Sequence, residues 1–324
     1  MNFTEIKQLI GDDLNKVGVI MKERLNSECF LLDTINDYLL NLKGKQIRPI
    51  LALLTAKACG NITELSLHCA VVSEMIHTAT LLHDDVADNS DSRRGSPTVN
   101  VMFSPASSVL TGDFWLAKAL SLISNSNDIR TLSFFTKAVD QLAEGELLQL
   151  QKASTLDTTE DDYIAIVTRK TSSLFIATIG SAVYSSGADE LTIEGMVQYA
   201  YHLGIAFQIK DDIFDYMPGL NTGKKAGNDI REKKITLPLI YALAEAGHKE
   251  RQEMMDTIRN SDDSDDTLSA KTLGFINKFE GLTSAQTALS YHIDKAIELL
   301  APIPDSPYKQ QLISITHYVG NRNV

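Results

Sequence analysis

The chain has 324 residues, 44% of them hydrophobic and 22% charged, with a formal net charge of −12 and a sequence pI near 5.0. That length suits one large domain or two ordinary ones, and the composition is the one expected of a soluble globular protein. The acidity excludes nucleic acid as the default partner, so an anionic substrate must be held by local Lys and Arg or by metal.

Eight prolines, about half the usual share, leave long stretches without a breaker. Apolar residues recur with the helical period nearly throughout, and no segment shows sustained strand alternation. The first helices are expected at about 3–25, 28–42, 48–59 and 64–89, with Gly44 and Gly60-Asn61 as stops. The stretch Gly95-Ser96-Pro97 and the pair Ser104-Pro105 mark a loop. Helices follow at about 105–124, 129–152, 160–171, 173–186 and 190–217, and Thr159 with Asp162 forms a capping box at the third of these. Pro218-Gly219, Gly223 and Gly227 then keep the chain irregular. The last third gives helices at about 236–246, 248–259, 266–280, 283–300 and 306–321, with 261–266 as a solvated acidic loop. The expected fold class is all-α, a single-domain helical bundle over 1–324 with a central active-site cavity.

Cys29, Cys59 and Cys69 are odd in number and lack C-x-x-C spacing, so they read as buried thiols in a reducing compartment. The N-terminus has no basic segment followed by an apolar run, and no run of about 18 apolar residues is present. The expected location is the cytoplasm, with no membrane span.

Two acidic clusters of one form stand on this helical background. Asp84-Asp85-Val86-Ala87-Asp88 and Asp211-Asp212-Ile213-Phe214-Asp215 both read D-D-x-x-D. Positions i and i+4 project from one helix face, and i+1 lies about 100° away. Asp84 with Asp88, and Asp211 with Asp215, are therefore paired carboxylates. Like charges so placed cost a helix a few tenths of a kcal/mol. A cation offsets that cost, and an all-oxygen donor set suits Mg²⁺, which also takes substrate phosphate oxygens. Both clusters fall near the C-terminal ends of long helices. If those helices run side by side, the clusters meet at the mouth of the bundle.

The surroundings extend the pattern. Glu74 to Asp88 followed by Arg93-Arg94-Gly95, and Gly204 to Tyr216, closely resemble the first and second aspartate-rich motifs of the trans-type isoprenyl diphosphate synthases, the polyprenyl synthetase family. Gly44-Lys45-Gln46-Ile47-Arg48-Pro49 is similar to that family's N-terminal basic motif. Gly112-Asp113, Gly145-Glu146 with Gln149, Lys170-Thr171 and residues 223–229 also fit. The similarity spans roughly 40–322 and is greatest to the long-chain octaprenyl and heptaprenyl synthases.

The resemblance implies a prenyltransferase. An allylic diphosphate ionises, isopentenyl diphosphate attacks, and a proton is lost. Asp84, Asp85, Asp88, Asp211, Asp212 and Asp215 would hold about three Mg²⁺, with Mn²⁺ able to substitute. Lys45, Arg48, His77 and Arg94 would bind isopentenyl diphosphate. Arg93, Lys170, Lys224 and Lys234 would bind the allylic diphosphate, with Thr171 and Gln208 as polar supports. Without the resemblance, Lys45 and Arg48 read as surface charges and His77 as a core residue; His83 reads as support for the aspartates. The resemblance also implies a homodimer. Two departures stand out: Glu232-Lys233-Lys234 lacks the glycine many relatives place between Glu and Lys, which leaves Lys233 and Lys234 as rivals. Lys43-Gly44 replaces a double glycine.

In such enzymes the growing tail passes the helix of the first motif. Positions 79 and 80 are Ala and Thr, where short-chain members carry an aromatic plug. The expected product is therefore a long, membrane-soluble polyprenyl diphosphate. Phe134 and Phe135 are candidates for a deeper floor, Phe135 being roughly 16 Å along the axis from Glu146. The alternatives are a geranylgeranyl or farnesyl product, a class I terpene cyclase and a non-catalytic subunit. The intact second D-D-x-x-D and the Arg pair speak against the last two.

Overall fold

The computed structural model describes residues 3–42, 44–93, 95–217, 227–261 and 266–322. The helices are α1 (Phe3–Leu25), α2 (Phe30–Asn41), α3 (Ile47–Cys59), α4 (Glu64–Ala87), α5 (Val99–Met102), α6 (Pro105–Ser124), α7 (Ile129–Thr155) and α8 (Glu160–Val167). A π-helical turn (Thr168–Ser172) leads into α9 (Ser173–Ser185) and α10 (Glu190–Asp215). There follow α11 (Asn228–Arg231), α12 (Leu237–Glu245), α13 (His248–Asn260), α14 (Asp266–Lys278), α15 (Gly281–Leu299) and α16 (Pro307–Asn321).

The fold is all-α, as the periodicity requires, and the long helices fall within a few residues of their expected limits. Three features were not expected. A minimal hairpin pairs β1 (Ser92–Arg93) with β2 (Ser96–Pro97). Two residues per strand are too few for a period-2 pattern to register. The four-residue helices α5 and α11 are likewise below the length at which a 3.6 period can be read. The third is the π turn, where a break at 172 was expected; the chain instead stays helical and admits an extra residue in the turn. The capping box at Thr159 and Asp162 is present.

The chain divides into two compact units. The first comprises Met1–Val139, Leu174–Ala200 and Leu299–Ile315. Its centre is α3, apolar on nearly every side, with Leu51, Ala52, Leu53, Leu54 and Ala56 fully buried. A helix hydrophobic all round must be wrapped by others, and α1 and α4 pack against it. By length and composition α4 could cross a membrane, but Cys69, Ala70, Val71, Val72, Met75 and Ile76 are fully buried in the protein, as in a core helix. A buried polar chain ties α1, α2 and α6: Trp115 Nε1 donates to Asn36 Oδ1 at 2.8 Å, and Asn36 Nδ2 donates to the Leu25 carbonyl at 2.7 Å. Asn36→Ala would orphan the indole N–H at a cost of about 1–3 kcal/mol.

The second unit comprises Asp140–Ser173, Tyr201–Glu298 and Thr316–Val324. Two glycines set its close approaches. A Cβ on Gly145 of α7 would lie 2.9 Å from the Lys170 backbone nitrogen, and one on Gly204 of α10 would lie 2.6 Å from Ser172 Cα. Both helices therefore press on the π turn as no larger residue would allow.

The cysteines correct one expectation. Cys69 is buried and Cys59 half-buried, and burial pushes both thiols up to about 12, but Cys29 is exposed.

Candidate active site

In the first unit α4 carries Asp84, Asp85 and Asp88 at its C-terminal end, where Asp88 is the C-cap. Asp84 and Asp88 are half-buried; Asp85, one residue round the helix, is 4% exposed. The carboxylate of Asp85 does not face outward. Its Oδ1 accepts from Arg93 Nε at 2.9 Å and Nη2 at 2.8 Å. The hairpin makes this possible, because it turns Arg93 back toward the helix eight residues earlier. Thr98 Oγ1 donating to the Ser90 carbonyl at 2.8 Å and Tyr38 hydroxyl donating to the Pro97 carbonyl at 2.6 Å hold the hairpin down.

Behind α4, Gly112 of α6 faces His83: a Cβ there would meet His83 Nε2 at 2.4 Å. The His83 ring stands 3.3 Å from Asp113 Oδ1 and from the Val109 carbonyl. His83 thus meets α6 one residue before the motif, through Asp113 and the Val109 carbonyl. His77 is half-buried two turns earlier on α4. Lys45 is exposed, and the Arg48 guanidinium lies 5.1 Å from the Phe175 ring centroid. The left-handed Gln46 (φ 48°) turns the chain between them. Arg94 and Lys224 lie outside the described residues, as does Lys43.

In the second unit the same pattern recurs at the end of α10. Asp211 and Asp215 are half-buried and Asp212 is 3% exposed. Asp212 accepts from the Tyr163 hydroxyl at 2.6 Å and from Gln208 Nε2 at 2.8 Å. Gln208 in turn accepts from Thr171 Oγ1 at 2.7 Å. Burial pushes the Asp212 carboxyl up to about 7, against the pull of those two donors, and Asp211 and Asp215 raise it further. Burial and the Asp212 charge also drive Tyr163 well above its ordinary range. Asp215 accepts from the backbone N–H groups of Asn228 and Asp229, each at 3.1 Å. Asp211 Oδ1 accepts from Arg322 Nη2 at 2.7 Å.

The π turn presents Lys170 and Thr171 together. Lys170 Nζ pairs with Glu146 and donates to Gln149 Oε1 at 2.9 Å, bringing together residues separated in sequence. Lys234 pairs with Glu232, and its side chain is 12% exposed. Lys233 has φ 57°, the left-handed conformation that a glycine takes without strain. The position where the sequence resemblance implies a Gly thus keeps a glycine-like backbone with a lysine on it. Tyr163 and Arg322 were missed by sequence reasoning. Their partners lie 49 and 111 residues away, and no local spacing marks them.

Six aspartates were expected as metal ligands. The structure presents them as two outer pairs, with Asp85 and Asp212 turned into the protein. Among the described residues no three His, Cys, Asp or Glu side chains converge on one point. Pairs of outer carboxylates still fit Mg²⁺, which binds through one or two carboxylates and fills its shell with water and phosphate oxygens.

Known proteins resemble the chain over its whole length. The polyprenyl synthetase family model matches residues 30–273. The octaprenyl diphosphate synthase of Escherichia coli (strain K12) is 36% identical over 324 residues, which is 100% of each chain. A decaprenyl diphosphate synthase structure from Rhodobacter capsulatus is similar with a TM-score of 0.93, at 35% identity over 100% of both chains. A polyprenyl synthase from Caulobacter crescentus CB15, complexed with calcium and isoprenyl diphosphate, has a TM-score of 0.92 at 30% identity, covering 100% of this chain and 98% of that one. With both aspartate motifs, the basic turn and the π-turn lysine all present in a chain matched from end to end, this protein belongs to the polyprenyl synthetase family.

Proposed function

We propose that this enzyme condenses isopentenyl diphosphate with an allylic diphosphate in successive head-to-tail trans additions and releases a long-chain all-trans polyprenyl diphosphate. The allylic C–O bond breaks with its electron pair leaving on the diphosphate. The double bond of isopentenyl diphosphate attacks the cation, and a proton is lost. When bound, Mg²⁺, or Mn²⁺ in its place, would offset the negative charge that grows on the leaving group.

The residues divide the remaining work. Asp84, Asp88, Asp211 and Asp215 would hold the metal, about three ions in all. Asp85 and Asp212 anchor the two helix ends through Arg93, Tyr163 and Gln208. Arg93, Lys170, Lys224 and Lys234 take the allylic diphosphate; Lys45, Arg48, His77 and Arg94 take isopentenyl diphosphate. The pairing of Arg93 with Asp85 orients the guanidinium before substrate arrives, which lowers the entropy cost of binding. Thr171 and Gln208 supply a fixed polar chain beside the second motif. The reaction is placed in the cytoplasm, where three free cysteines stay reduced. All of this belongs to one polyprenyl synthetase domain, and the working form is a homodimer. Exposed Phe30, Val101, Met102 and Leu110 offer apolar surface for it, and light scattering at micromolar concentration showing only a 35.7 kDa species would exclude it.

The observation that carries the long product is Ala79. It is 1% exposed on α4, five residues before Asp84, or roughly 7.5 Å along the axis. A small side chain there leaves the tail room to pass. Ala79→Tyr should shorten the product to the geranylgeranyl or farnesyl stage while condensation continues. Overpacking costs about 1–3 kcal/mol, so the melting curve is recorded alongside product sizing. A folded variant still making wild-type lengths would refute the path past residue 79. Phe135, fully buried on α7, is the proposed floor, and Phe135→Ala should lengthen the product.

A further inference from the structure

Arg322 follows the last turn of α16 and has no place in the scheme above. Its side chain is 9% exposed, while that of its partner Asp211 is 42% exposed. Nη2 alone makes both of its bonds to the second motif's helix, to Asp211 Oδ1 at 2.7 Å and to the Phe207 carbonyl at 3.1 Å. The guanidinium carbon lies 4.2 Å from the Phe207 ring centroid and 5.4 Å from that of Phe214. Arg322 Nε is buried with no hydrogen-bond partner among the described residues.

This is a poor design for a permanent ion pair. An Arg–carboxylate pair built for stability uses the two-pronged fork, which satisfies two donors at once. Here one prong is used and a buried N–H is left over, which costs free energy. The arrangement does hold a full positive charge against one of the two outer carboxylates of the motif. A divalent ion at Asp211 would sit within a few ångströms of that guanidinium, and the two cations would repel. Without metal, the same guanidinium offsets the repulsion between Asp211 and Asp215.

We propose that Arg322 is a positioning residue, a resident counter-ion of the second aspartate motif. A divalent metal competes with it for Asp211, and metal loading loosens the C-terminal end of α16. This rests on reading Asp211 as a metal ligand.

The test uses the full chain with Mn²⁺ alone, titrated by electron paramagnetic resonance in an Asp84→Ala background, so that the signal reports the second motif. Arg322→Gln should bind Mn²⁺ about three- to tenfold more tightly, since an opposing charge is gone. Arg322→Lys, which keeps the charge, should stay near the wild-type affinity. Hydrogen exchange of amides 316–321 should quicken when Mn²⁺ is added to the Arg322 protein. In Arg322→Gln it should be fast already and indifferent to metal. A residue that merely orients a ligand gives the opposite sign, weakening metal binding by about 10–100-fold on removal. Unchanged or weaker affinity in Arg322→Gln, with Asp211→Ala losing Mn²⁺, overturns the counter-ion role and leaves the metal reading standing. If Asp211→Ala binds Mn²⁺ as well as its parent, both readings fall. Melting curves for each variant show whether α16 has stayed docked.

Discussion

The two aspartate motifs have the same spelling and neutralise their middle carboxylate by different means. Asp85 is answered by a charge, Arg93, brought back by a hairpin eight residues later in the chain. Asp212 is answered by two neutral donors, Tyr163 and Gln208, and burial pushes its carboxyl up to about 7. The first motif is supported largely from its own neighbourhood in sequence. The second draws on Tyr163, 49 residues away, and on Arg322, 111 residues away. Identical local spacing therefore does not produce identical electrostatics, because the donors around each middle carboxylate differ, and such donors act against burial, which favours the neutral carboxyl.

The largest effects should come where the motifs are alike. Asp84→Ala and Asp211→Ala should each lower turnover by about three powers of ten or more. Asp84→Ala also relieves a repulsion of a few tenths of a kcal/mol, so its thermal midpoint should hold, whereas Asp211→Ala leaves the largely buried Arg322 guanidinium without its carboxylate and should lower the midpoint. Excess chelator should abolish the wild-type rate; undiminished turnover in chelator would remove the metal from the mechanism.

Smaller effects should separate the basic residues. Arg94→Ala and Lys45→Ala are expected to raise KM for isopentenyl diphosphate by about one to two powers of ten, the worth of a charge-assisted phosphate contact. Arg93→Ala and Lys170→Ala should instead weaken the allylic substrate or lower kcat. Steady-state kinetics with each substrate varied in turn decides the matter. Equal losses on both substrates from all four variants would show the division to be wrong.

The middle aspartates sharpen the contrast through stability. In metal-free protein at pH 8, Asp85→Asn should cost about 1–3 kcal/mol, since Arg93 loses its partner. Asp212→Asn should cost less than about 1 kcal/mol, because it also removes a buried charge that, among the described residues, is held by the neutral donors Tyr163 and Gln208. The pH dependence carries a definite sign. The Asp212 carboxyl rises from 3.8 unfolded to about 7 folded, so the native state holds the extra proton between those values. Its contribution is fully present below pH 3.8 and is lost as pH rises through about 7. Denaturation midpoints across that window should therefore fall more steeply for wild type than for Asp212→Asn. Parallel curves would contradict the assignment.

The smallest change concerns Lys233. A glycine relieves the left-handed strain at φ 57° and should raise stability by about 0.5 kcal/mol, read from the shift in denaturant midpoint. A lower midpoint would mean that the lysine side chain contributes more than its backbone costs.

Much of this protein is written locally. The 3.6 period of the apolar residues gives the long helices. Helix geometry pairs Asp84 with Asp88 and Asp211 with Asp215, and it sets Asp85 and Asp212 about 100° aside. Short and irregular elements escaped because they hold too few residues to show a period: the two-residue strands that return Arg93 to Asp85, the four-residue helices, and the π turn that presents Lys170 and Thr171. The partners of the offset aspartates escaped for a different reason. Which donor reaches a buried carboxylate depends on which helices can approach it. That is settled by glycines such as Gly145 and Gly204, whose missing side chains let α7 and α10 press on the π turn. Spacing along a helix follows from backbone geometry and can be read from sequence. The charge state of Asp212, the single-pronged hold of Arg322 on Asp211 and the inward turn of Asp85 depend on contacts that the packed chain alone brings together.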